Sequence, residues 1–158
     1  MPADRIDILV HPESVVHSLV TFVDGATLAQ LSPPDMRVAI QYALSWPDRL
    51  PASREKLDLA ALGSLTFRAP DPRRFPCLRL VEEACRRGGC ATAVLAAADE
   101  WAVAEFLAGR IGYATIAEAV AYALDHVSPR ACDSVAAVED AARETAACLR
   151  ARYSSAIL

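Results

Sequence analysis

The sequence lacks the charge and hydropathy patterns of nucleic-acid-binding and membrane proteins. Its 16 lysines and arginines are outnumbered by 20 acidic residues, which gives a net charge of −4. Proteins that bind nucleic acid need a basic surface, and this balance does not provide one. The longest uncharged apolar run, Cys90 to Ala98, is far shorter than the ~20 residues of a membrane-spanning helix. Because the N-terminus carries no apolar signal segment either, we expect a cytoplasmic protein without nucleic-acid or membrane partners.

The common short motifs of metal, phosphate and nucleophilic sites are also missing. None of the five cysteines belongs to a C-x-x-C pair, so neither a zinc site nor a thioredoxin-type site is predicted. We expect these thiols to be reduced and mostly buried. The phosphate-binding motifs G-x-G-x-x-G and G-x-x-x-x-G-K-[ST] do not occur, and no serine lies in a G-x-S-x-G turn. The five cysteines are Cys77, Cys85, Cys90, Cys132 and Cys148.

The sequence of residues 6–46 predicts a small β-sheet followed by a helix. Apolar runs at 6–10, 15–23 and 26–32 are typical of strands, and the Asp-Gly pair at 24–25 favours a two-residue hairpin turn. Pro34 and Asp35 suit the first turn of a helix over 34–46, which Pro47 ends.

The predicted register of the hairpin decides which side chains share a face. With a two-residue loop, Leu19 pairs with Gln30 and His17 pairs with Ser32. Apolar residues then lie on both faces of the sheet. We therefore expect cover on both sides from a helix, another domain or another subunit. The two apolar sets are Leu19, Val23 and Leu28 on one face and Val20, Phe22 and Leu31 on the other.

The rest of the chain predicts a connector and then helices only. Residues 52–75 are proline-rich and lose hydrophobic periodicity. Residues 76–158 contain four helical runs with short connections, which favours an up-down bundle. One run begins at Thr115 with Glu118 three positions later, the pattern of a capping box. We predict an α+β fold without a Rossmann domain, divided into 1–51, the connector 52–75 and a four-helix bundle over 76–158.

Two of the three histidines, His11 and His17, lie six positions apart in the string H-P-E-S-V-V-H-S. In an extended chain they would be roughly 20 Å apart, too far to share a metal unless Pro12 turned the chain sharply. No other cysteine or histidine cluster supplies further ligands, so no metal site is predicted. Pro12 holds His11 extended, and we interpret His11 as structural. Two interpretations stay open for His17: a structural residue, or the wall of a substrate pocket.

Three strings in a fixed order carry a family resemblance: H-P-E-S-V-V-H-S at 11–18, P-D-M-R at 34–37 and F-P-C-L-R-L at 75–80. Together they closely resemble the C-terminal part of 1-deoxy-D-xylulose 5-phosphate reductoisomerases, from about Arg5 to the last helix. The resemblance implies the end of a catalytic and dimerisation domain, followed by a C-terminal helical domain. One helix departs from the family pattern, because Ala96 and Asp99 stand where asparagines are usual.

The family converts 1-deoxy-D-xylulose 5-phosphate to 2-C-methyl-D-erythritol 4-phosphate in the non-mevalonate pathway of isoprenoid biosynthesis, with NADPH and Mg²⁺ or Mn²⁺. The resemblance places His17 and Ser14 near the substrate, and Met36 and Pro34 near the nicotinamide. The family's Rossmann domain and metal carboxylates lie upstream of the matched region. This chain alone is therefore expected to hold no complete catalytic set, no metal and no NADPH.

Two functional hypotheses follow from the resemblance. The chain is either the C-terminal part of a reductoisomerase that needs the N-terminal part for activity, or a non-catalytic module derived from that enzyme. In both cases we expect partnership with the missing part or a full-length homologue, and a homo-oligomer formed through the sheet. A metal enzyme built on His11 and His17 is the third and weakest alternative, for the reason of distance given above.

Overall fold

The structure is a computed structural model that describes residues 2–51 and 56–153. The chain forms two compact units, and each is described by itself below. We call Ile8–Pro70 the hairpin unit, and the described parts of Met1–Asp7 and Asp71–Leu158 the bundle unit. The predicted α+β class is confirmed by two antiparallel strands accompanied by six α-helices in the described residues. The domain boundaries proposed from the sequence remain predictions.

The hairpin unit contains an antiparallel pair of strands, β1 (Val16–Thr21) and β2 (Thr27–Leu31). The predicted hairpin is present, but its predicted register is wrong, because Leu19 pairs with Ala29 and Val20 pairs with Leu28. The turn has three residues rather than two: Phe22 N–H bonds Ala26 O at 2.8 Å, and Gly25 has φ of 86°. A glycine with positive φ at this place is typical of a three-residue hairpin loop. Leu28 therefore shares a face with Val20, not with Leu19.

Three other sequence-based elements of this unit need correction. The predicted strand 6–10 is wrong, because only Val10 is bridged, by two backbone hydrogen bonds to Arg68. The predicted helix 34–46 is shorter, since α1 spans Met36–Ser45. The connector is not wholly irregular, because α2 spans Leu59–Leu62 after the Asp58 cap; its residues 52–55 lie outside the described part. A strand needs a partner along its length, which local apolar character alone does not provide.

The bundle unit contains α3 (Cys77–Arg87), α4 (Ala91–Leu107), α5 (Tyr113–His126) and α6 (Val135–Tyr153). The predicted four helical runs are confirmed up to residue 153, while 154–158 lie outside the described residues. The predicted capping box is wrong, because α5 begins two residues before Thr115. None of the helices in the described part of the chain combines the length and hydropathy needed to cross a membrane.

The core of the bundle unit is built mainly from small residues. Six alanines are fully buried, and the largest fully buried side chains are those of Leu149, Val120 and Thr145. The Thr145 hydroxyl donates to Ala141 O at 2.7 Å, so this buried polar group is satisfied. Ala96 and Asp99, the two positions at which the resemblance implies asparagines, are exposed on α4. The buried alanines are Ala84, Ala98, Ala102, Ala119, Ala123 and Ala141.

Candidate functional site

His17 occupies an irregular position in the hairpin. Val16 pairs with Leu31 and Ser18 pairs with Gln30, so His17 is the extra residue of a β-bulge in β1. A bulge changes the direction in which the inserted side chain points, and bulges are common beside active sites. His17 is exposed, and its Nδ1 lies 3.5 Å from the Ser32 hydroxyl oxygen rather than opposite Ser32 in a regular pair.

The beginning of α1 places Pro34 and Met36 beside the same end of the hairpin. Asp35 is the N-cap of α1, and its carboxylate accepts the backbone N–H of Arg37 at 3.1 Å. The same carboxylate accepts Arg37 Nε at 2.9 Å, which raises the pKa of Arg37. Met36 is therefore fixed as the first residue of the helix, with 73% of its surface exposed.

His17, Pro34 and Met36 line one cavity of about 460 Å³ in the hairpin unit. The structure thus brings together three of the four residues that the resemblance placed near substrate or nicotinamide. Gln30, Tyr42 and Arg49 could not be predicted as lining residues, because no local sequence pattern distinguishes them. The complete lining is His17, Gln30, Ser32, Pro34, Asp35, Met36, Val38, Ala39, Tyr42 and Arg49.

Ser32 makes only a weak contact with the His17 imidazole. The distance of 3.5 Å between the Ser32 hydroxyl oxygen and His17 Nδ1 is at the long limit of a hydrogen bond, while the same hydroxyl lies 3.1 Å from Pro33 O. The imidazole is therefore held loosely by this contact.

Arg49 places a cation at the edge of the cavity. Its guanidinium carbon lies 4.1 Å from the centre of the Tyr42 ring, in a cation–π contact. Tyr42 is itself held by an edge-to-face contact with Trp46, with ring centres 5.6 Å apart. The lining therefore combines apolar side chains with a guanidinium, a carboxylate and an imidazole.

Ser14 does not line the cavity; it is exposed in the turn that precedes β1. It has φ of 51°, a left-handed conformation that is uncommon for residues other than glycine. The turn is closed by a hydrogen bond of 3.1 Å from Ser14 N–H to His11 O.

The side chains of His11 and Glu13 clamp this turn to Thr66. His11 Nδ1 lies 2.8 Å from Thr66 O and 3.0 Å from Glu13 Oε2, two acceptors, so Nδ1 carries the proton. Thr66 N–H in turn donates to Glu13 Oε2 at 3.1 Å. The His11 ring stacks on Phe67 with centres 4.7 Å apart, which agrees with the structural interpretation of His11. We call this arrangement the Thr66 clamp.

The Thr66 clamp makes an acid-sensitive contribution to stability. A hydrogen bond with the Thr66 side chain is the largest cause that lowers the pKa of Glu13 below its ordinary value of 4.5. A hydrogen bond with the backbone of Glu13 itself is the second cause. Because the folded pKa is depressed, the ionised group stabilises the fold above about pH 4.5, and this contribution is lost as the pH falls through the folded pKa.

Glu13→Gln should therefore reduce the loss of stability between pH 5 and pH 3 relative to the unmodified chain. The measurement is urea unfolding followed by Trp46 fluorescence in a Trp101→Phe background. Glu82→Gln, at an exposed position of α3, is the matched control and should keep the original acid dependence. An unchanged acid dependence in the Glu13 variant would contradict the role of the clamp.

The described residues offer little to a metal ion. No group of three or more His, Cys, Asp and Glu side chains that could hold a metal occurs in residues 2–51 and 56–153. His11 is engaged by Thr66 and Glu13, and His17 by Ser32, so the two histidines have separate surroundings.

Comparison with known proteins gives consistent matches. Residues 31–145 match the family described as the DXP reductoisomerase C-terminal domain. The 1-deoxy-D-xylulose 5-phosphate reductoisomerase of Caulobacter vibrioides is 54% identical over 145 residues, covering 92% of this chain and 36% of the relative. The corresponding protein of Burkholderia multivorans is 51% identical over 150 residues, covering 93% and 38%.

Solved structures agree with these matches. The reductoisomerase from Zymomonas mobilis in complex with NADPH superposes with a TM-score of 0.91 at 42% identity, covering 97% of this chain and 40% of that one. A reductoisomerase in complex with NADPH, fosmidomycin and magnesium gives a TM-score of 0.86 at 39% identity, covering 92% and 38%. This chain spans less than half the length of these relatives. With the family match and the sequence identities, these structures show that the chain belongs to the 1-deoxy-D-xylulose 5-phosphate reductoisomerase family.

Proposed function

We propose that this chain supplies the C-terminal part of an NADPH- and divalent-metal-dependent 1-deoxy-D-xylulose 5-phosphate reductoisomerase. The observation that carries the proposal is the shared cavity of His17, Pro34 and Met36. The reaction would form 2-C-methyl-D-erythritol 4-phosphate, and the chain would contribute one wall of the site. The relatives' names and their bound NADPH and magnesium support this assignment.

The chemistry of the cavity fits a contact with a nicotinamide ring. Met36 and Pro34 offer exposed apolar surface, against which a planar heterocycle can pack. NADPH supplies the hydride in the proposed reaction. The His17 imidazole lines the same cavity and forms a hydrogen bond with a substrate hydroxyl. Ser14, held in its turn by the Thr66 clamp, fixes the start of the strand that carries His17.

The described residues do not fit the divalent metal, since they offer no set of three ligands. We infer that metal ligands and most of the NADPH site come from the part of the relatives that this chain does not span. The chain alone is then inactive and works together with that missing part. The exposed apolar surface of the hairpin unit forms the contact between them. Five unpaired cysteines agree with a reducing compartment such as the cytoplasm.

The test joins this chain to the N-terminal remainder of the Caulobacter vibrioides relative and measures NADPH oxidation with substrate and Mg²⁺. Met36→Ala should raise KM for NADPH several-fold. His17→Ala should lower kcat/KM about 10–100-fold, the effect of losing a hydrogen bond worth about 1–3 kcal/mol. Leu107→Ala, at an exposed position of α4 outside the cavity and outside the hairpin unit, is the control and should change neither value. Equal kinetics for all three variants would contradict the proposed role of the cavity.

The alternative of a non-catalytic binding module predicts a different outcome. A joined protein that folds and forms oligomers but does not oxidise NADPH in the presence of substrate would favour that module over the reductoisomerase.

A further inference from the structure

Two cysteines of the bundle unit lie together although 41 residues separate them in the sequence. Cys90 is the N-cap residue of α4, and it is 2% exposed. Cys132 is exposed in the segment between α5 and α6. The prediction of mostly buried thiols is wrong, because among the five cysteines only Cys90 is buried.

Backbone contacts hold the two segments against each other. Cys90 N–H donates to Arg130 O at 3.0 Å, and Cys90 Sγ lies 3.3 Å from Ala131 O, the residue next to Cys132. A side chain at position 89 would collide with Arg130 O, so Gly89 permits this close approach. The Cys90 thiol is thus brought to the peptide group that leads directly into Cys132.

The segment that carries Cys132 is also fixed from its other side. Glu144 of α6 accepts the Ser128 N–H at 3.2 Å and pairs with the Arg130 guanidinium. Val127, at the end of α5, is buried in the core of the bundle unit. The segment that carries Cys132 is therefore held beside Cys90.

The electrostatics of Cys90 agree with this placement. Burial is the largest cause that raises the pKa of Cys90, and the neighbouring Cys132 side chain raises this pKa further. Because Cys90 Sγ lies 3.3 Å from the carbonyl oxygen of the residue bonded to Cys132, the two cysteines lie on adjoining segments, as a disulfide requires.

We propose that Cys90 and Cys132 are an oxidation site, at which a small-molecule disulfide such as oxidised glutathione converts two thiols into one disulfide. This bond would tie the α3–α4 connection to the α5–α6 connection. Spacing in the sequence gives no indication of the pair, because the two residues are not part of a C-x-x-C motif.

Exposure sets the order of the exchange steps. The thiolate of exposed Cys132 attacks oxidised glutathione, the glutathione S–S bond breaks, and one glutathione leaves as a thiolate. Cys90 then loses its proton to solvent, its sulfur attacks the Cys132 sulfur, and the second glutathione leaves. In total, two protein thiols are oxidised by two electrons and one glutathione disulfide is reduced to two thiols.

The test treats the reduced chain with oxidised glutathione, blocks the remaining thiols with an alkylating reagent, and maps peptides by mass spectrometry without reductant. We expect a linked pair of peptides containing Cys90 and Cys132, which dithiothreitol separates. The oxidised chain should also unfold at a higher urea concentration than the reduced chain, because the cross-link closes a long loop in the unfolded state.

Variants separate this pair from general oxidation of exposed thiols. Cys90→Ser should stop the reaction at a mixed disulfide on Cys132, and Cys90→Ala provides a second version if the serine variant does not fold. Cys85→Ser, which removes another exposed thiol, is the matched control and should keep the link. The proposal is overturned if Cys132 of the unmodified chain stays a mixed disulfide while Cys90 stays free, or if Cys132 pairs equally with other cysteines.

Discussion

Leu149→Ala should lower the free energy of unfolding of the bundle unit by about 2–5 kcal/mol, the range for truncating a buried leucine. Leu149 is fully buried in α6, and it is the largest fully buried side chain in a core that contains six fully buried alanines. Alanine side chains have no rotamers with which to refill a cavity. We therefore expect a cost near the upper end of the range.

The measurement is urea unfolding in a Trp46→Phe background, where Trp101 becomes the sole tryptophan. Trp101 lies on α4, packs against the core, and contacts Tyr153 with ring centres 5.5 Å apart. Leu107→Ala is the matched control, because Leu107 is 78% exposed at the end of α4. Its cost should be within about 0.5 kcal/mol. Equal costs at positions 149 and 107 would show that the core does not lie where the structure places it.

The chain alone should self-associate or bind a hydrophobic dye through the hairpin unit. Val20 and Leu28 form a cross-strand pair, yet they are 55% and 65% exposed. On α1 and just after it, Leu44 and Trp46 are more exposed still, at 85% and 70%. Apolar surface of this extent is typical of an interface and carries a risk of aggregation.

Replacing the cross-strand pair with opposite charges tests this surface without breaking the hairpin. Val20→Glu with Leu28→Lys keeps an attractive pair across the strands, but should weaken self-association roughly hundredfold, since two large apolar contacts are lost. The matched control is Thr21→Glu with Thr27→Lys, which places the same charges on an adjacent exposed cross-strand pair and should preserve association. Sedimentation velocity and dye fluorescence provide the readouts. A monodisperse unmodified chain that binds no dye would contradict the expectation.

Local sequence predicted the elements of the fold better than their pairing. The four bundle helices follow from apolar periodicity and from stops such as Gly88, and the hairpin follows from Asp24-Gly25. The register failed because Asp-Gly fits both a two-residue and a three-residue loop, and the structure uses Gly25 in the latter. The strand at 6–10 failed because its pairing depends on a distant segment, which meets it only at Arg68.

For the candidate site too, the residues could be predicted but their pairing could not. The resemblance identified His17, Pro34 and Met36, and the structure gathers them in one cavity. It could not predict that His17 lies on a β-bulge, because a bulge depends on how two strands pair. The Thr66 clamp could not be predicted from the sequence either, because Thr66 follows His11 by 55 positions and lies in a stretch without hydrophobic periodicity.

The most direct test of the central claim is the rate of NADPH oxidation with 1-deoxy-D-xylulose 5-phosphate and Mg²⁺, measured for this chain alone and for the chain joined to the N-terminal remainder of a relative. We predict no turnover above background for the chain alone, and substrate-dependent turnover for the joined protein. Turnover by the chain alone, or a folded joined protein without turnover, would contradict it.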